Sequence, residues 1–365
     1  MSERSAPLVV KLAFWLVLGV LSVFFAEVVS TSTPFPVLQP FKPFVNVWGI
    51  FVVFPLYTLH VLVLSSLIFR KGRISFTTLF LAGAILGLYE AYITKVIWNP
   101  TWGNSHVYFG GIAVVQTAVL VLFWHPMMAF VMPVLVGENL FASSRETFDA
   151  LATRIKTMLS TLPGAVRGAV VVALLCGIYE GSGAKLAFVS AVGAVAGLFA
   201  VGAVWKRVCA GRDFGFRELL PSRRQNIVLG ALLALVYILN ILFVRTGAMP
   251  RTLLPHVTVW TMYAILFTLL HFSLKRAAIA ASAAVRDESA AESVVRRSPL
   301  RAYACTIGLV MTVVFPTAAA IASTDRTAAW IGAFLILGCG CGFGVALIGA
   351  AVVASVRDRL RSQPG

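Results

Sequence analysis

Apolar runs long enough to cross a bilayer recur along this chain, and the loops between them alternate between poor and rich in lysine and arginine. A helix needs about 20 apolar residues to span the hydrocarbon core, and helices are the simplest backbone that satisfies its own polar groups there. On that rule we count about ten spans, roughly 8–29, 45–69, 74–98, 109–136, 164–183, 185–205, 226–245, 254–274, 302–323 and 328–354. The predicted fold class is therefore all-α: a polytopic integral membrane protein of about ten transmembrane helices, N- and C-termini cytoplasmic.

The alternation sets the orientation. Loops after odd-numbered spans hold Lys42, no basic residue in 99–108, Lys185, Arg245 with Arg251, and Arg326. Loops after even-numbered spans hold Arg70, Lys71 and Arg73; then Arg145, Arg154 and Lys156; then six residues from Lys206 to Arg224; then six from Lys275 to Arg301. Basic residues mark the cytoplasmic side, and one missed span would break the pattern. The same bias accounts for the net charge of +16 without a nucleic-acid partner. A charged fraction of 12% against an apolar fraction of 59% leaves no room for a soluble reading, since soluble chains carry roughly 25% charged residues. We expect a multi-pass protein of the cell (cytoplasmic-type) membrane, its first span retained rather than cleaved.

Composition divides the chain. Residues 1–136 form an aromatic, His-containing four-span part, 137–163 a cytoplasmic amphipathic helix, and 164–365 an Ala/Gly-rich six-span part, all one membrane domain. In the middle segment Phe148, Leu151, Ile155, Met158 and Leu162 recur at helical spacing, and Ser143 with Glu146 reads as a capping box. That helix is expected to lie against anionic lipid. Span eight is expected to run on into the cytoplasm until Ser298-Pro299 stops it. Gly193 to Gly197 and the glycines from Gly338 to Gly344 read as close-packing surfaces.

Ionisable side chains inside spans mark candidate sites, because lipid makes them costly. Span three carries Gly83, Gly87, Glu90 and Thr94 on one helix face, which turns Glu90 toward protein. Tyr89 and Tyr92 flank it as candidate pathway hydroxyls. A partial echo places Glu180 and Lys185 at the offsets of Glu90 and Lys95. Each lysine lies about 140° round the helix from its glutamate, so both are expected to reach for the outer surface. Glu27 and Glu180 fall within a turn of the outer ends of their spans, Glu90 about 12 Å in, and His60 and His125 about 22 Å in. This suggests an outer vestibule of carboxylates leading to two mid-membrane imidazoles, a layout suited to proton transfer. Pro55, Pro126 and Pro133 sit beside the histidines and free carbonyls there.

Other chemistry lacks its motif. No phosphate-binding GxxxxGK[ST], CxxC, HExxH or paired aspartate motif occurs, so no metal or cofactor is expected. Cys339-Gly340-Cys341 reads as helix packing, Asp213-Phe214-Gly215 stands alone, and Gly181-Ser182-Gly183 lacks a base. The leading functional reading is a secondary, proton-coupled transporter of a small solute. The alternatives are a membrane-embedded enzyme acting on a lipid near the outer leaflet, and a non-catalytic subunit or homo-oligomer whose small-residue faces pack against a partner. The residues leave open whether the protein is an enzyme.

Overall fold

The computed structural model describes residues 6–28, 49–70, 72, 74–101, 106–180, 184–287 and 298–361, and helices dominate it. The elements run α1 (Leu8–Val23), α2 (Phe54–Phe69), α3 (Phe76–Gly87), α4 (Tyr89–Tyr92), α5 (Val114–Val119), α6 (Met132–Phe141), α7 (Glu146–Asp149) and α8 (Thr153–Leu159). They continue with α9 (Leu162–Glu180), α10 (Ala184–Cys209), α11 (Phe216–Leu219), α12 (Arg223–Phe243), α13 (Leu253–Asp287), α14 (Pro299–Thr324), α15 (Arg326–Ala333) and α16 (Gly340–Arg361). Wider π-helical turns extend α1 (Phe24–Val28), precede α2 (Gly49–Val53), join α5 to α6 (Leu120–Val131) and join α15 to α16 (Phe334–Cys339). A two-residue hairpin, β1 (Tyr108–Phe109) and β2 (Ile112–Ala113), lies just before α5.

Among the described residues, eight helices are long and apolar enough to cross a membrane, and α9 and the shorter Phe76–Tyr92 segment fill the two remaining expected positions. The protein is a multi-pass helical membrane protein. Contacts between loops respect the charge alternation. On the basic side, Arg217 bonds Glu146 and Gly72, Ser143 bonds Phe214, Arg276 pairs with Asp358, and Tyr303 reaches Ser160. On the other side, Lys95 bonds Asn240 and Val244, Arg245 bonds Thr94 and Asn99, and Thr258 bonds Gly110. α13 does run on past the span, to Asp287, and the hydroxyl of Ser298 caps α14 with Pro299 behind it.

Four sequence expectations are corrected. Span three is not one helix over 74–98: α3 ends at Gly87, α4 adds a single turn, and Lys95 adopts a left-handed backbone (φ 60°) that turns the chain back. Seventeen residues rise only about 26 Å, less than the roughly 30 Å hydrocarbon core. Lys95 does not snorkel. It is fully buried and donates to the carbonyls of Asn240 and Val244, in the last turn of α12 and at its C-cap.

The loop helix also differs. Its stretch breaks into α7 and α8, and α8 meets α9 at 107°. Ser143 does not cap α7. The fully buried Glu138 does so from the end of α6, accepting from the backbone N–H groups of Glu146 and Thr147 and from the Ser144 and Thr147 hydroxyls. A carboxylate satisfies more of the unpaired N-terminal donors than a serine hydroxyl can. Finally, Gly193 and Gly197 face nothing within 4 Å, so among the described residues no close packing occurs there.

Candidate functional site

Two prolines shape the segment on which the site is built. Pro126 and Pro133 have no N–H, so the turns around them lose their usual acceptor pairing and Leu120–Val131 widens into a π-helix. Ala129, four residues before Pro133, has its carbonyl served instead by the Ser22 hydroxyl of α1 at 2.6 Å. The α3 face predicted from the glycines packs here. A Cβ on Gly83 would strike Pro126 and Phe130, and one on Gly87 would strike the Leu120 carbonyl and His125. Only glycine lets α3 approach closely enough for Glu90 to reach His125. The indole of Trp124 donates to the Ala26 carbonyl at 2.8 Å, which fixes the π-turn carrying Glu27 against the same segment.

These elements converge on one polar cluster. Glu90 Oε1 lies 3.3 Å from His125 Nε2. The same nitrogen is 3.0 Å from the Tyr89 hydroxyl and 3.2 Å from the Tyr57 hydroxyl, and the two hydroxyls are 2.6 Å apart. Tyr57 in turn donates to Glu27 Oε1 at 2.5 Å, and the Thr94 hydroxyl donates to Glu90 Oε2. Tyr57, Tyr89, Glu90 and His125 are buried, whereas Glu27 is half-buried. Glu90 and His125 were expected to lie about 10 Å apart in depth by the helical rise. They touch instead. Span three is shorter than 74–98 and ends below the segment that folds over it, where Ile97 N–H donates to the Glu90 carbonyl.

Hydrogen positions follow from donor counting. His125 Nδ1 faces the Leu120 carbonyl at 3.1 Å, an atom that only accepts, so Nδ1 carries a proton and Nε2 is the nitrogen turned to the cluster. With Glu27 ionised, Tyr57 must donate to it, Tyr89 then donates to Tyr57, and neither hydroxyl is left for Nε2. The contacts of Nε2 to Glu90 and Tyr89 are served if Nε2 holds a proton and shares it between them. That makes the His125–Glu90 contact a charge-assisted pair. A second arrangement contains the same number of protons. Protonated Glu27 donates to Tyr57, Tyr57 to Tyr89, and Tyr89 to a neutral Nε2. Passing from one arrangement to the other shifts one proton between Glu27 and His125 along two tyrosine hydroxyls.

His60 stands beside this chain rather than in it. Its Nδ1 lies 2.8 Å from the Leu56 carbonyl and its Nε2 3.0 Å from the Tyr237 hydroxyl on α12, while its ring centre is 5.8 Å from that of Tyr89. Tyr237 continues to Tyr263 on α13 at 3.4 Å. Tyr92 points elsewhere: its hydroxyl is 3.2 Å from His256 Nδ1, and its ring packs on Trp98 and Trp260. Glu180 ends α9, but its side chain lies outside the described residues, as does that of Lys185. The echo's Gly177 packs against Phe315, Ala318 and Ala319 of α14, a different partner from that of Gly83 and Gly87.

Sequence reading did not single out Tyr57, Tyr237, Tyr263 or His256. Tyr57 had a usable signal, since it shares a helix face with His60 three residues on. The α12 and α13 tyrosines carried none, because nothing local says which helix will face His60. Among the described residues no group of three or more His, Cys, Asp or Glu is placed to hold a metal.

An uncharacterized protein of Archaeoglobus fulgidus is 48% identical over 140 residues, covering 38% of this chain and 42% of its relative. The chain thus matches under half the length of that relative. No solved structure matches. Residues 16–362 match the profile of an uncharacterized membrane protein family, and the chain belongs to that family.

Proposed function

We propose that the protein is a proton-coupled secondary carrier of a small solute in the cell membrane, with Glu90 and His125 as the proton-binding pair. The observation that carries this reading is the hydrogen-bonded line from half-buried Glu27 through Tyr57 and Tyr89 to His125 and Glu90. It joins a carboxylate near the outer end of α1 to one enclosed between helices, and its hydroxyls can be ordered in either direction with the same number of protons. Glu27 loads a proton, the tyrosines pass it, and the His125–Glu90 pair stores it. Enclosed storage matters because a carboxylate in a low-dielectric setting favours whichever state its neighbours complete.

The test is transport in proteoliposomes under an imposed pH gradient, screening a solute panel with a trapped pH dye. Glu90→Gln should abolish gradient-driven uptake and leave solute exchange intact, while Tyr89→Phe should slow uptake by cutting the line. Uptake unchanged in Glu90→Gln would remove that residue from the mechanism.

A partner-bound reading has its own support. Only 11% of the α12 span and 12% of the α10 span is buried within the chain, and Gly193, Gly197 and Gly202 present open faces. Such surfaces suit a second copy or another membrane protein. Recovery of a lone monodisperse chain from mild detergent counts against it.

A further inference from the structure

The corner between α8 and α9 brings charge and apolar surface together at one membrane boundary. The chain turns through 107° between them, so with α9 crossing the bilayer α8 lies close to the plane of its surface. The corner stands on the basic side, which faces the cytoplasm. Gly168 lets the two helices close on each other: a Cβ there would stand 3.3 Å from Leu159 and 3.6 Å from Met158. Met158 therefore marks the side of α8 turned toward α9. Arg154 and Ile155, four and three residues before it, share that side. Lys156 lies on the far side, where its ammonium donates to the Asp149 carbonyl. On α9, Arg167 precedes the glycine, and Val171 and Leu174 continue its face into the bilayer. Arg154, Ile155, Met158, Arg167, Val171 and Leu174 are all exposed. The two arginines have no acid to answer them. No Asp or Glu occurs from 150 to 179, and among the described residues neither arginine makes a hydrogen bond or ion pair. The inside bias of cations accounts for their place in this loop, but not for their flanking one lipid-facing corner.

We propose that this corner is a site for an anionic phospholipid of the inner leaflet. Its headgroup sits between Arg154 and Arg167, and an acyl chain runs along Val171 and Leu174. Arginine stems lay their apolar length on the helix and carry the guanidinium to headgroup depth. There a guanidinium takes a phosphate through two parallel N–H bonds. The cations alone would suit any anion. The apolar stripe continues up α9, however, and within the bilayer only a lipid brings the charge and the chain together. Phosphatidylcholine offers the same phosphate but carries its own cation, so preference for a headgroup of net negative charge is the signature of the site. The corner lies on the opposite side of the membrane from Glu27 and does not depend on the carrier reading.

The experiment is photolabelling of the full chain in phosphatidylcholine vesicles at low salt. Diazirine-bearing phosphatidylglycerol or diazirine-bearing phosphatidylcholine is added at the same mole fraction, and labelled peptides are read by mass spectrometry. The segment 154–174 should take the phosphatidylglycerol label about 25-fold more, since each cation near the surface is worth about fivefold. Arg154→Gln or Arg167→Gln alone should lower the preference to about fivefold, and the two together to parity. Arg154→Lys with Arg167→Lys keeps both charges and should keep most of the preference. Arg223→Gln, at an exposed arginine that opens α12, controls for the diffuse field of the basic side and should change nothing. Equal labelling by the two lipids overturns the proposal, as does a preference that survives the loss of both arginines. An equal loss in Arg223→Gln overturns it too, because the field would then be shared by the whole face. Labelling by neither lipid, with a co-purifying membrane protein crosslinked to this segment, would give the corner to a protein partner instead.

Discussion

The helices before Phe141 and those after Ala184 are alike in apolar length and unlike in how they bury it. More than half of the apolar stretch of α1, of α2 and of the Val114–Phe141 helix is buried within the chain (56, 56 and 67%), against 11 and 12% for α12 and α10. The first group holds every member of the Glu27–His125–Glu90 line. The second offers it only selected contacts, such as Tyr237 and the carbonyls of Asn240 and Val244. Ion-binding side chains in lipid need an enclosure that supplies donors and acceptors, and only the tightly packed group provides one. Glycine shows the contrast residue by residue. Gly83 and Gly87 let a neighbouring backbone in, whereas Gly193, Gly197 and Gly230 face nothing within 4 Å among the described residues.

The sharpest way to break that comparison is at Glu138, the acid that ends the enclosed group. Glu138→Ala would strand two backbone donors and two hydroxyls in a fully buried place. The expected loss is about 3 kcal/mol or more, since each unpaired buried group costs about 1–3 kcal/mol. Denaturation in detergent measures it, and Glu138→Gln should recover part of the loss. A Glu138→Ala protein as stable as the parent would mean that the loops around α7 hold themselves. Next comes a paired test of the glycines. Gly83→Leu should destabilise by about 1–3 kcal/mol through overpacking against Pro126, and Gly193→Leu by no more than about 0.5 kcal/mol. Equal effects would erase the distinction between the two groups of helices. A large effect at Gly193 that appears only in the membrane would point to an outside partner.

Much of this architecture was legible in the residues because it depends on local rules. Apolar length marked the spans, and the lysines and arginines sorted their ends. The Gly83–Gly87–Glu90 stripe marked the face of span three that turns inward. Depth was not legible. Counting 1.5 Å per residue along an unbroken helix put Glu90 and His125 at different levels, and the break after Gly87 together with the π segment at Leu120–Val131 cancelled the difference. Lys95 failed for a related reason. Seen alone it is a snorkelling lysine at a helix end. Its actual acceptors belong to α12, about 145 residues away, and no local pattern announces that a distant helix will end above it. Tyr57 was closer to reach, through its spacing from His60.

Lys95 and Arg245 also show how the loosely buried helices are tied to the enclosed ones. Lys95 donates to the last carbonyls of α12, while Arg245, just past that end, donates back to the carbonyls of Thr94 and Asn99. Each cation thus serves carbonyls of the other's segment. Lys95→Met keeps the length of the side chain and removes the charge, so it should cost about 1–2 kcal/mol, the range for a cation at a partly buried helix C-terminus. Hydrogen exchange should show the excess opening confined to the end of α12 and the turn at 93–99. Protection loss spread over α1 and α2 instead would mean that the tie supports the whole enclosed group.

Removing a single hydroxyl is the most informative test of the site. Tyr237→Phe keeps the ring that packs 5.6 Å from His60 and deletes only the hydroxyl between His60 and Tyr263. The loss in stability should be about 0.5–1.5 kcal/mol, that of one hydrogen bond. His60 Nε2 then lacks its donor, yet the line from Glu27 to Glu90 is untouched, because none of its contacts includes Tyr237. If Glu27 loads the pair, proton uptake should proceed at the parent rate in Tyr237→Phe. Slowed loading would instead make His60 part of the inward path, and α12 would then belong with the enclosed helices.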